Sequence, residues 1–235
     1  FLVHGYRFND SSVTSLPSGN WAVAYAPSGT HHADLVALPI WRDGQADPDR
    51  SPIILTNTYA GGVRPDWPYI APDGSRIAFT NYIGSAPGSP DFGDIYVLDN
   101  VPSLMAAVGP DTRSLLAPAS LSDSNIIPIH TTQSDNYTHV PMFSQDLSLV
   151  LFTEDMNNVF CNSDSFNTVA AADFDVVIAN ADGSGEVHLA AAGNQLLSSV
   201  TPGGTRLIYL ADVAGKMHLY MTTLEVAMEI AGEPA

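Results

Sequence analysis

A repeated turn between short apolar runs constrains this chain more than any other feature of its sequence. The clearest copy lies within residues 65–100, where the turn Pro72-Asp73-Gly74 precedes the apolar run Ile77–Thr80. Proline presets φ at the first turn position, and glycine tolerates the positive φ that closes the turn. A further extended run, Asp94–Asp99, follows after a loop. The pattern predicts short antiparallel strands joined by tight turns.

Weaker copies of this unit recur, so we predict four repeat units of four strands each. In each unit one strand enters the turn and an aliphatic or aromatic strand leaves it. A third strand begins near Asp or His, and a fainter fourth strand closes the unit. The units cover approximately residues 10–57, 65–117, 138–191 and 196–231, with fourth strands expected at Pro52–Thr56, Arg113–Leu116, Glu186–Ala190 and Glu225–Ile230.

The second strands of the last two units, Leu147–Phe152 and Arg206–Leu210, are almost continuously apolar rather than alternating. A strand that is buried on both faces has this pattern. Small sheets whose middle strands are covered on both faces are typical of a β-propeller, with a solenoid as the second choice. We therefore expect the aromatic residues of the repeat strands to lie in the core: Trp21, Tyr25, Phe79, Tyr96, Phe152, Tyr209 and Tyr220.

The repeat resembles that of a known family. Ala71-Pro-Asp-Gly-Ser-Arg-Ile-Ala-Phe-Thr80 followed by Asp94-Ile-Tyr-Val-Leu-Asp99 is similar to the TolB-type, WD-like β-propeller repeat. The similarity is closest at residues 65–100, recognisable at 141–191, and degenerate at 10–56 and 196–230. The resemblance implies a propeller blade, but the family includes periplasmic scaffolds, cell-surface proteins and the propeller caps of prolyl-peptidase-like enzymes. It therefore specifies a fold and not an activity.

The fold predicted from these observations is all-β, a propeller of four-stranded antiparallel blades with about four blades in this chain. The resemblance implies six or seven blades in a complete propeller. Residues 1–235 are therefore either a single four-bladed domain or a fragment of a larger propeller, completed by further sequence or another chain. We favour the fragment, because an open arc leaves sheet edges that proteins usually cover.

The formal charge of −17 arises from 25 acidic residues against 8 basic ones. Such a surface repels nucleic-acid phosphates and anionic membranes, so neither is expected as a partner. The sequence contains no apolar run long enough for a membrane span. A single cysteine, Cys161, excludes an internal disulfide and a cysteine-rich zinc site. We expect a periplasmic or secreted, extracellular protein.

The three longest irregular stretches are residues 82–93, 117–137 and 154–173, and the strand order puts all three on one face of a propeller. Long loops on a rigid scaffold are where binding usually occurs. Candidate binding residues in or near such loops are His31, His32, Asp91, His130, Asp135, His139 and Asp155, together with Trp41 and Trp67 near strand ends; Asp94, Asp123, Glu154 and Asp164 also lie there. Asn9 and Asn136 occur in glycosylation sequons.

A mixed set of histidines and carboxylates could hold a divalent cation such as calcium. No two of these candidates have a recognised metal-ligand spacing, and the adjacent His31 and His32 would diverge in a strand. The sequence therefore predicts no metal site and no cofactor.

The sequence contains no nucleophile elbow, H-E-x-x-H, Walker loop or G-x-G-x-x-G. The leading hypothesis is a non-enzymatic scaffold that binds a protein or a polymer such as a polysaccharide through its long-loop face. Further copies or chain segments that complete the propeller are alternative partners. Two enzymatic alternatives remain: the propeller domain of a larger hydrolase or redox protein, and a metal-dependent propeller lyase or hydrolase.

Overall fold

A computed structural model describes most of the predicted repeat strands. The described residues are 2–3, 6–7, 12–16, 19–28, 32–41, 43, 45, 47, 49, 53–56, 63–83, 92–106, 124–131, 137–156, 173–189, 193–201 and 204–224.

Strands dominate the described residues, with one short helix. In chain order they are β1 (Leu2–Val3), β2 (Tyr6–Arg7), β3 (Ser12–Leu16), β4 (Gly19–Ser28), β5 (His32–Ile40), β6 (Ile53–Ile54), β7 (Val63–Ile70), β8 (Ile77–Ile83), β9 (Phe92–Leu98), α1 (Val101–Ala106), β10 (Ile126–His130), β11 (Tyr137–Phe143), β12 (Leu149–Asp155), β13 (Phe174–Asn180), β14 (Val187–Leu189), β15 (Gln195–Val200), β16 (Arg206–Val213) and β17 (Lys216–Thr223). In the part of the chain that is described, no helix is long and apolar enough to cross a membrane.

The strands form three four-stranded sheets of the predicted kind, one sheet with three described strands and one small hairpin. Residues 225–230, the predicted fourth strand of the last unit, lie outside the described residues. The sheet orders are β3-β4-β5-β6 (sheet 1), β10-β9-β8-β7 (sheet 2), β11-β12-β13-β14 (sheet 3) and β15-β16-β17 (sheet 4), and β1 pairs with β2. Strands that follow each other in sequence are neighbours in these sheets, as in propeller blades. The predicted all-β architecture of small antiparallel sheets is therefore confirmed.

The fourth strand of sheet 2 differs from the predicted one. Residues 113–116 lie outside the described residues, and Ile126–His130 pairs beside β9 instead. Ile126 and Ile129 are buried, and the amide of Asp99 donates to the carbonyl of Asn125, 2.8 Å away, just before the strand. The interpretation of residues 117–137 as one loop is thus wrong over 126–130. Pro128 interrupts the isoleucines of this strand, and proline within an apolar run argues against a strand in the sequence.

The predicted tight turns have a common hydrogen-bond pattern. In sheet 2 the amide of Gly74 donates to the carbonyl of Ala71 (2.8 Å), and Gly74 has a φ of 72°. The equivalent amides of Leu147 and Gly204 donate to the carbonyls of Ser144 and Thr201. Leu147 keeps the positive φ, 61°, without being glycine. The turn geometry is therefore preserved where the sequence motif has been lost.

A second shared feature is a bulge in the first strand of sheets 2, 3 and 4. The register shifts by one residue between Asp66 and Tyr69 in β7, between His139 and Met142 in β11, and between Leu196 and Ser199 in β15. A bulge bends a strand and increases its local twist. The three sheets therefore repeat the same irregularity as well as the same strand order.

The chain divides into two compact units, residues 1–85 with 96–127 and residues 86–95 with 128–235. Each unit has its own apolar core. The core of the first unit includes Phe79, fully buried, whose ring stacks on that of Tyr96 at 5.9 Å. The core of the second unit includes Leu151, Val176, Ile178, Val187, Leu189 and Leu207.

Burial of the middle strands follows the prediction in sheet 3 but not in sheet 4. Val150 to Asp155 of β12 are all buried, so both faces of this strand are covered. By contrast β16 is only partly buried and β17 is exposed over nearly its whole length. Among the aromatic residues expected in the core, Tyr220 is 39% exposed, so that expectation was wrong for it. The side chains of Trp21 and Tyr25 lie outside those described.

We expect Gly74→Ala to destabilise the first unit by about 1–2 kcal/mol, because an L-residue with a Cβ is strained at positive φ. Urea unfolding followed by circular dichroism measures the change. Leu147→Gly is the matched control: its position already has positive φ, so relief of strain and loss of the side chain should leave a net change below about 1 kcal/mol. Equal losses in the two variants would contradict the role assigned to this turn.

Candidate functional site

Four ionisable side chains from three strands meet in the second unit. His130 ends β10, and Glu154 lies near the end of β12. Glu186 directly precedes β14, and His188 lies in it. Residues two apart in a strand point to the same face, so Glu186 and His188 lie on one face of sheet 3. His188 pairs with Val177 of β13, which pairs with Phe152 of β12, so these three side chains lie on the same face of sheet 3. We call these four residues the His–Glu cluster.

The cluster is a ring in which each carboxylate lies between two imidazoles. Glu186 bridges His130 Nδ1 at 2.7 Å through Oε2 and His188 Nε2 at 3.0 Å through Oε1. On the other side, Glu154 Oε1 is 3.4 Å from His130 Nε2, and its Oε2 is 3.9 Å from His188 Nδ1. The contacts to Glu186 have hydrogen-bond distances, whereas those to Glu154 are longer ion-pair distances. Glu186 therefore holds the two rings more tightly than Glu154 does.

Packing fixes the ring of His130. Its centroid lies 5.0 Å from that of Phe152, a fully buried residue of β12. The turn at Gly183, which has a φ of 83°, approaches the carbonyl of Pro128 so closely that a Cβ at this position would clash with it. Glycine is therefore required where this turn meets β10. Both contacts hold His130 against sheet 3.

The cluster is buried on one side and open on the other. The side chains of His130 and Glu154 are 9% and 2% exposed, whereas those of Glu186 and His188 are 31% and 32% exposed. Solvent therefore reaches the cluster past Glu186 and His188. Ion pairs in such a partly buried position interact much more strongly than those on a surface.

Burial alone would lower the pKa of His130, but the carboxylates of Glu154 and Glu186 outweigh it and raise that pKa from 6.5 to about 9. Hydrogen bonds from the two imidazoles lower the pKa of Glu186 from 4.5 to about 2. The hydrogen bond to Glu186 also raises the pKa of His188. The ring of alternating charges thus stabilises the protonated histidines and the ionised carboxylate of Glu186.

Asp175 of β13 adds a fifth carboxyl group next to the cluster, opposite Glu154 in register. Burial, together with the charges of Asp173 and Glu154, raises its pKa to about 6. Perturbed ionisable groups of this kind gather at functional sites more often than elsewhere.

The geometry of the cluster is compatible with a metal ion. His130, Glu154 and Glu186 each offer one ligand atom, and these three atoms lie within 4.8 Å of one another. Imidazole nitrogen and carboxylate oxygen are common donors to zinc and other divalent transition metals.

An exposed apolar surface is the second candidate site. In β17 the side chains of Met217, Leu219 and Met221 alternate onto one face and are 44%, 71% and 55% exposed. Across the strand pair, Leu210 and Ile208 lie opposite Leu219 and Met221 and are partly buried. We call these five residues the Leu219 face. On the other face of sheet 4, Leu207 and Tyr209 pack into the core of the second unit.

Of the predicted candidates that the structure describes, His130 and Glu154 lie in the His–Glu cluster. Asp155 is fully buried and accepts a hydrogen bond from the amide of Asp173, 3.1 Å away. Trp41 is 48% exposed after β5, and Trp67 is half-buried with a φ of 48° in the bulge of β7. His32 and His139 lie in β5 and β11, with side chains outside those described. His31, Asp91 and Asp135, and the sequon residues Asn9 and Asn136, lie outside the described residues.

The sequence predicts Glu154 in a loop, and Glu186 and His188 in a faint fourth strand. The signal for the pair was the spacing Glu-x-His in a strand, which puts both side chains on one face. Nothing in the sequence indicates that β10 carries His130 to the same place, because that strand was itself missed.

Two solved structures share this fold. A TolB-type protein from Agrobacterium tumefaciens matches with a TM-score of 0.56 at 15% identity, over 92% of this chain and 58% of that protein. A puromycin-hydrolysing peptidase from Mycobacterium tuberculosis matches with the same TM-score at 14% identity, over 96% of this chain and 31% of the peptidase. The chain has a TolB-type β-propeller fold. At these identities the similarity shows the fold of the propeller and not its activity.

The propeller chain thus spans less than two thirds of either protein to which it is similar. No protein-family model matches the sequence, and no curated protein matches it. The similarity to TolB-type propellers therefore rests on the solved structures and concerns the fold.

The propeller should lose stability as the pH rises from about 6.5 to 9 in the presence of a chelator. His130 has a higher pKa in the folded state, so its contribution is complete below its ordinary pKa of 6.5 and disappears above about 9. The loss should be up to about 3 kcal/mol in the free energy of unfolding. Urea unfolding at a series of pH values measures it.

His130→Gln should flatten this fall in stability, whereas His218→Gln, which changes an exposed histidine of β17, should keep it. A wild-type stability that stays constant between pH 6.5 and 9 would contradict the ion pairs of His130 with Glu154 and Glu186.

Proposed function

We propose that this chain is a non-enzymatic β-propeller module, located outside the cytoplasm, that binds another protein through the Leu219 face. The single observation that carries the proposal is the exposure of this face. A contiguous apolar surface in a propeller sheet is unusual, because the sheets of a propeller normally cover one another.

The burial of sheet 3 indicates what kind of surface the Leu219 face fits. In β12 apolar side chains on both faces are buried, whereas the outer face of β17 presents Leu219 and two methionines to solvent. An apolar sheet face is best covered by another apolar sheet face, with side chains interdigitating. Methionine adapts its shape to a partner, which suits a binding surface. The partner we propose therefore presents an apolar β-sheet face.

The charge around this face supports a partner other than a second copy. The chain carries a formal charge of −17, so two copies repel each other. The hairpin of β16 and β17 nevertheless bears exposed Arg206 and Lys216, the chain's only lysine. A protein with carboxylates around its apolar surface would complement this hairpin.

Site-specific photo-crosslinking tests the proposal in the cells that make the protein. A photoreactive residue in place of Leu219 should give an adduct with a different protein. The same residue in place of Ser103, which is exposed on α1, should give none. Met221→Asp in the Leu219-labelled chain should lower the adduct yield by about tenfold, because a charge then enters the apolar contact.

Folding is checked separately by unfolding of the Met221→Asp variant, which should change the free energy of unfolding by less than about 0.5 kcal/mol. Equal adducts at positions 219 and 103, or no adduct at 219, would contradict binding through this face. An adduct with a second copy of the chain would contradict a distinct partner and would show that this face mediates self-association.

A second candidate function is the propeller part of a larger enzyme. It is favoured by one observation, that the chain spans 31% of the peptidase to which it is similar. Intact-mass measurement of the protein from its native source tests it. A mass equal to that of the 235 residues would remove this candidate, and a larger mass with additional sequence would support it.

A further inference from the structure

We propose that the His–Glu cluster is a binding site for a divalent transition-metal ion of the zinc type, held by His130, Glu154 and Glu186. One ring nitrogen and one oxygen from each carboxylate lie within 4.8 Å of one another. A Zn²⁺ ion binds such donors at about 2.0–2.2 Å, so modest side-chain rotations bring the three atoms to bonding distance. The site depends on residues from three strands and not on a local sequence motif.

The burial of two ligands distinguishes this cluster from ordinary surface carboxylates. The side chain of Glu154 is 2% exposed and that of His130 is 9% exposed. His130 Nε2 and His188 Nδ1 are both buried, and neither makes a hydrogen bond within the described part of the chain. Buried polar atoms are normally hydrogen-bonded, and those that are not call for a specific explanation. Both atoms face the carboxylate of Glu154, at 3.4 and 3.9 Å, which are longer than hydrogen-bond distances. This side of the cluster therefore lacks the hydrogen bonds that buried polar atoms normally make.

His188 has a supporting role in this arrangement. Its Nε2 is 3.0 Å from Glu186 Oε1, so it orients the carboxylate whose other oxygen contacts His130. Hydrogen bonds of this kind to a metal ligand fix its orientation, and their loss typically weakens metal affinity 10–100-fold. His188 is therefore a positioning residue, and its Nδ1 is 3.9 Å from Glu154 Oε2.

The donor set favours a transition metal over calcium or magnesium. Calcium and magnesium prefer oxygen ligands, whereas an imidazole nitrogen is a good ligand for zinc, nickel and copper. With one imidazole and two carboxylates from the protein, the exposed side near Glu186 leaves room for solvent ligands. The ion would join β10, β12 and the start of β14 within the second unit, and so stabilise it.

Isothermal titration calorimetry of the chelator-treated chain with zinc chloride tests this proposal at about pH 8, where zinc competes more easily with protons. We expect one site per chain, with a Kd in the micromolar range or tighter. Added zinc should also raise Tm by several degrees, because an ion that binds only the folded state stabilises it. Calcium chloride at the same concentration should give a much smaller rise.

Substitutions at the proposed ligands test where the zinc ion binds. Glu186→Gln and His130→Asn should weaken zinc binding at least about tenfold, and His188→Asn about 10–100-fold. His218→Asn removes an exposed histidine of β17 and should bind zinc as the wild type does. X-ray absorption at the zinc edge of the wild-type complex provides a readout that does not depend on folding of the variants. It should show nitrogen and oxygen ligands with imidazole scattering.

Three results would overturn the proposal. They are the absence of stoichiometric zinc binding, equal binding by the His130→Asn variant and the wild type, and a spectrum without an imidazole ligand. A response to calcium as large as that to zinc would also contradict it, because nitrogen ligation would then have no effect on selectivity.

Discussion

Burial of both faces of a small β-sheet is the constraint on which the rest of this structure depends. A four-stranded sheet with apolar side chains on both faces is stable in water only if each face is covered. Sheet 3 satisfies this condition, since β12 is buried along almost its whole length. In sheet 4, of which three strands are described, Leu207 and Tyr209 of β16 pack into the core of the second unit, whereas β17 is exposed along nearly its whole length. The Leu219 face is the part of sheet 4 that stays exposed, and the proposed binding of a partner rests on this exposure.

The same constraint explains the position of the His–Glu cluster. Covering one face of sheet 3 places the end of β10 against it, with the ring of His130 on Phe152. That face carries Glu154, Glu186 and His188, whose charges must be balanced once water is partly removed. Two imidazoles alternate with two carboxylates, and the balance comes from protons on the histidines or from a bound cation. The buried polar cluster is thus a consequence of this packing.

The repeat strands and turns could be predicted from the sequence because their signals are local. The turn at Gly74 depends on one residue with positive φ, and an apolar run such as that of β12 indicates burial on both faces without reference to any other strand. Similarity in fold to TolB-type propellers confirms that interpretation. The turn at Leu147 could not be predicted in this way, because Leu147 has a positive φ without being glycine. Tertiary packing there overrides the local preference.

The site could not be predicted because its geometry is not local. Glu186 and His188 are two residues apart, but Glu154 and His130 come from separate strands, and β10 was missed altogether. The exposure of β17 could not be predicted from the sequence either, because its apolar residues alternate as they do in a strand with one buried face. Only the pairing of strands shows which apolar face remains in water. Of the candidates predicted in loops, the structure brings His130 and Glu154 into the cluster.

The most direct test of the central claim is oxidative footprinting of the methionines, comparing the isolated chain with the protein in a native extract. Met217 and Met221 of the Leu219 face are 44% and 55% exposed, and Met156, which is 39% exposed beyond β12, is the internal control. If another protein covers the Leu219 face, Met217 and Met221 will oxidise several-fold more slowly in the extract, while Met156 will oxidise at the same rate. Equal oxidation of Met217 and Met221 in both states would contradict the account.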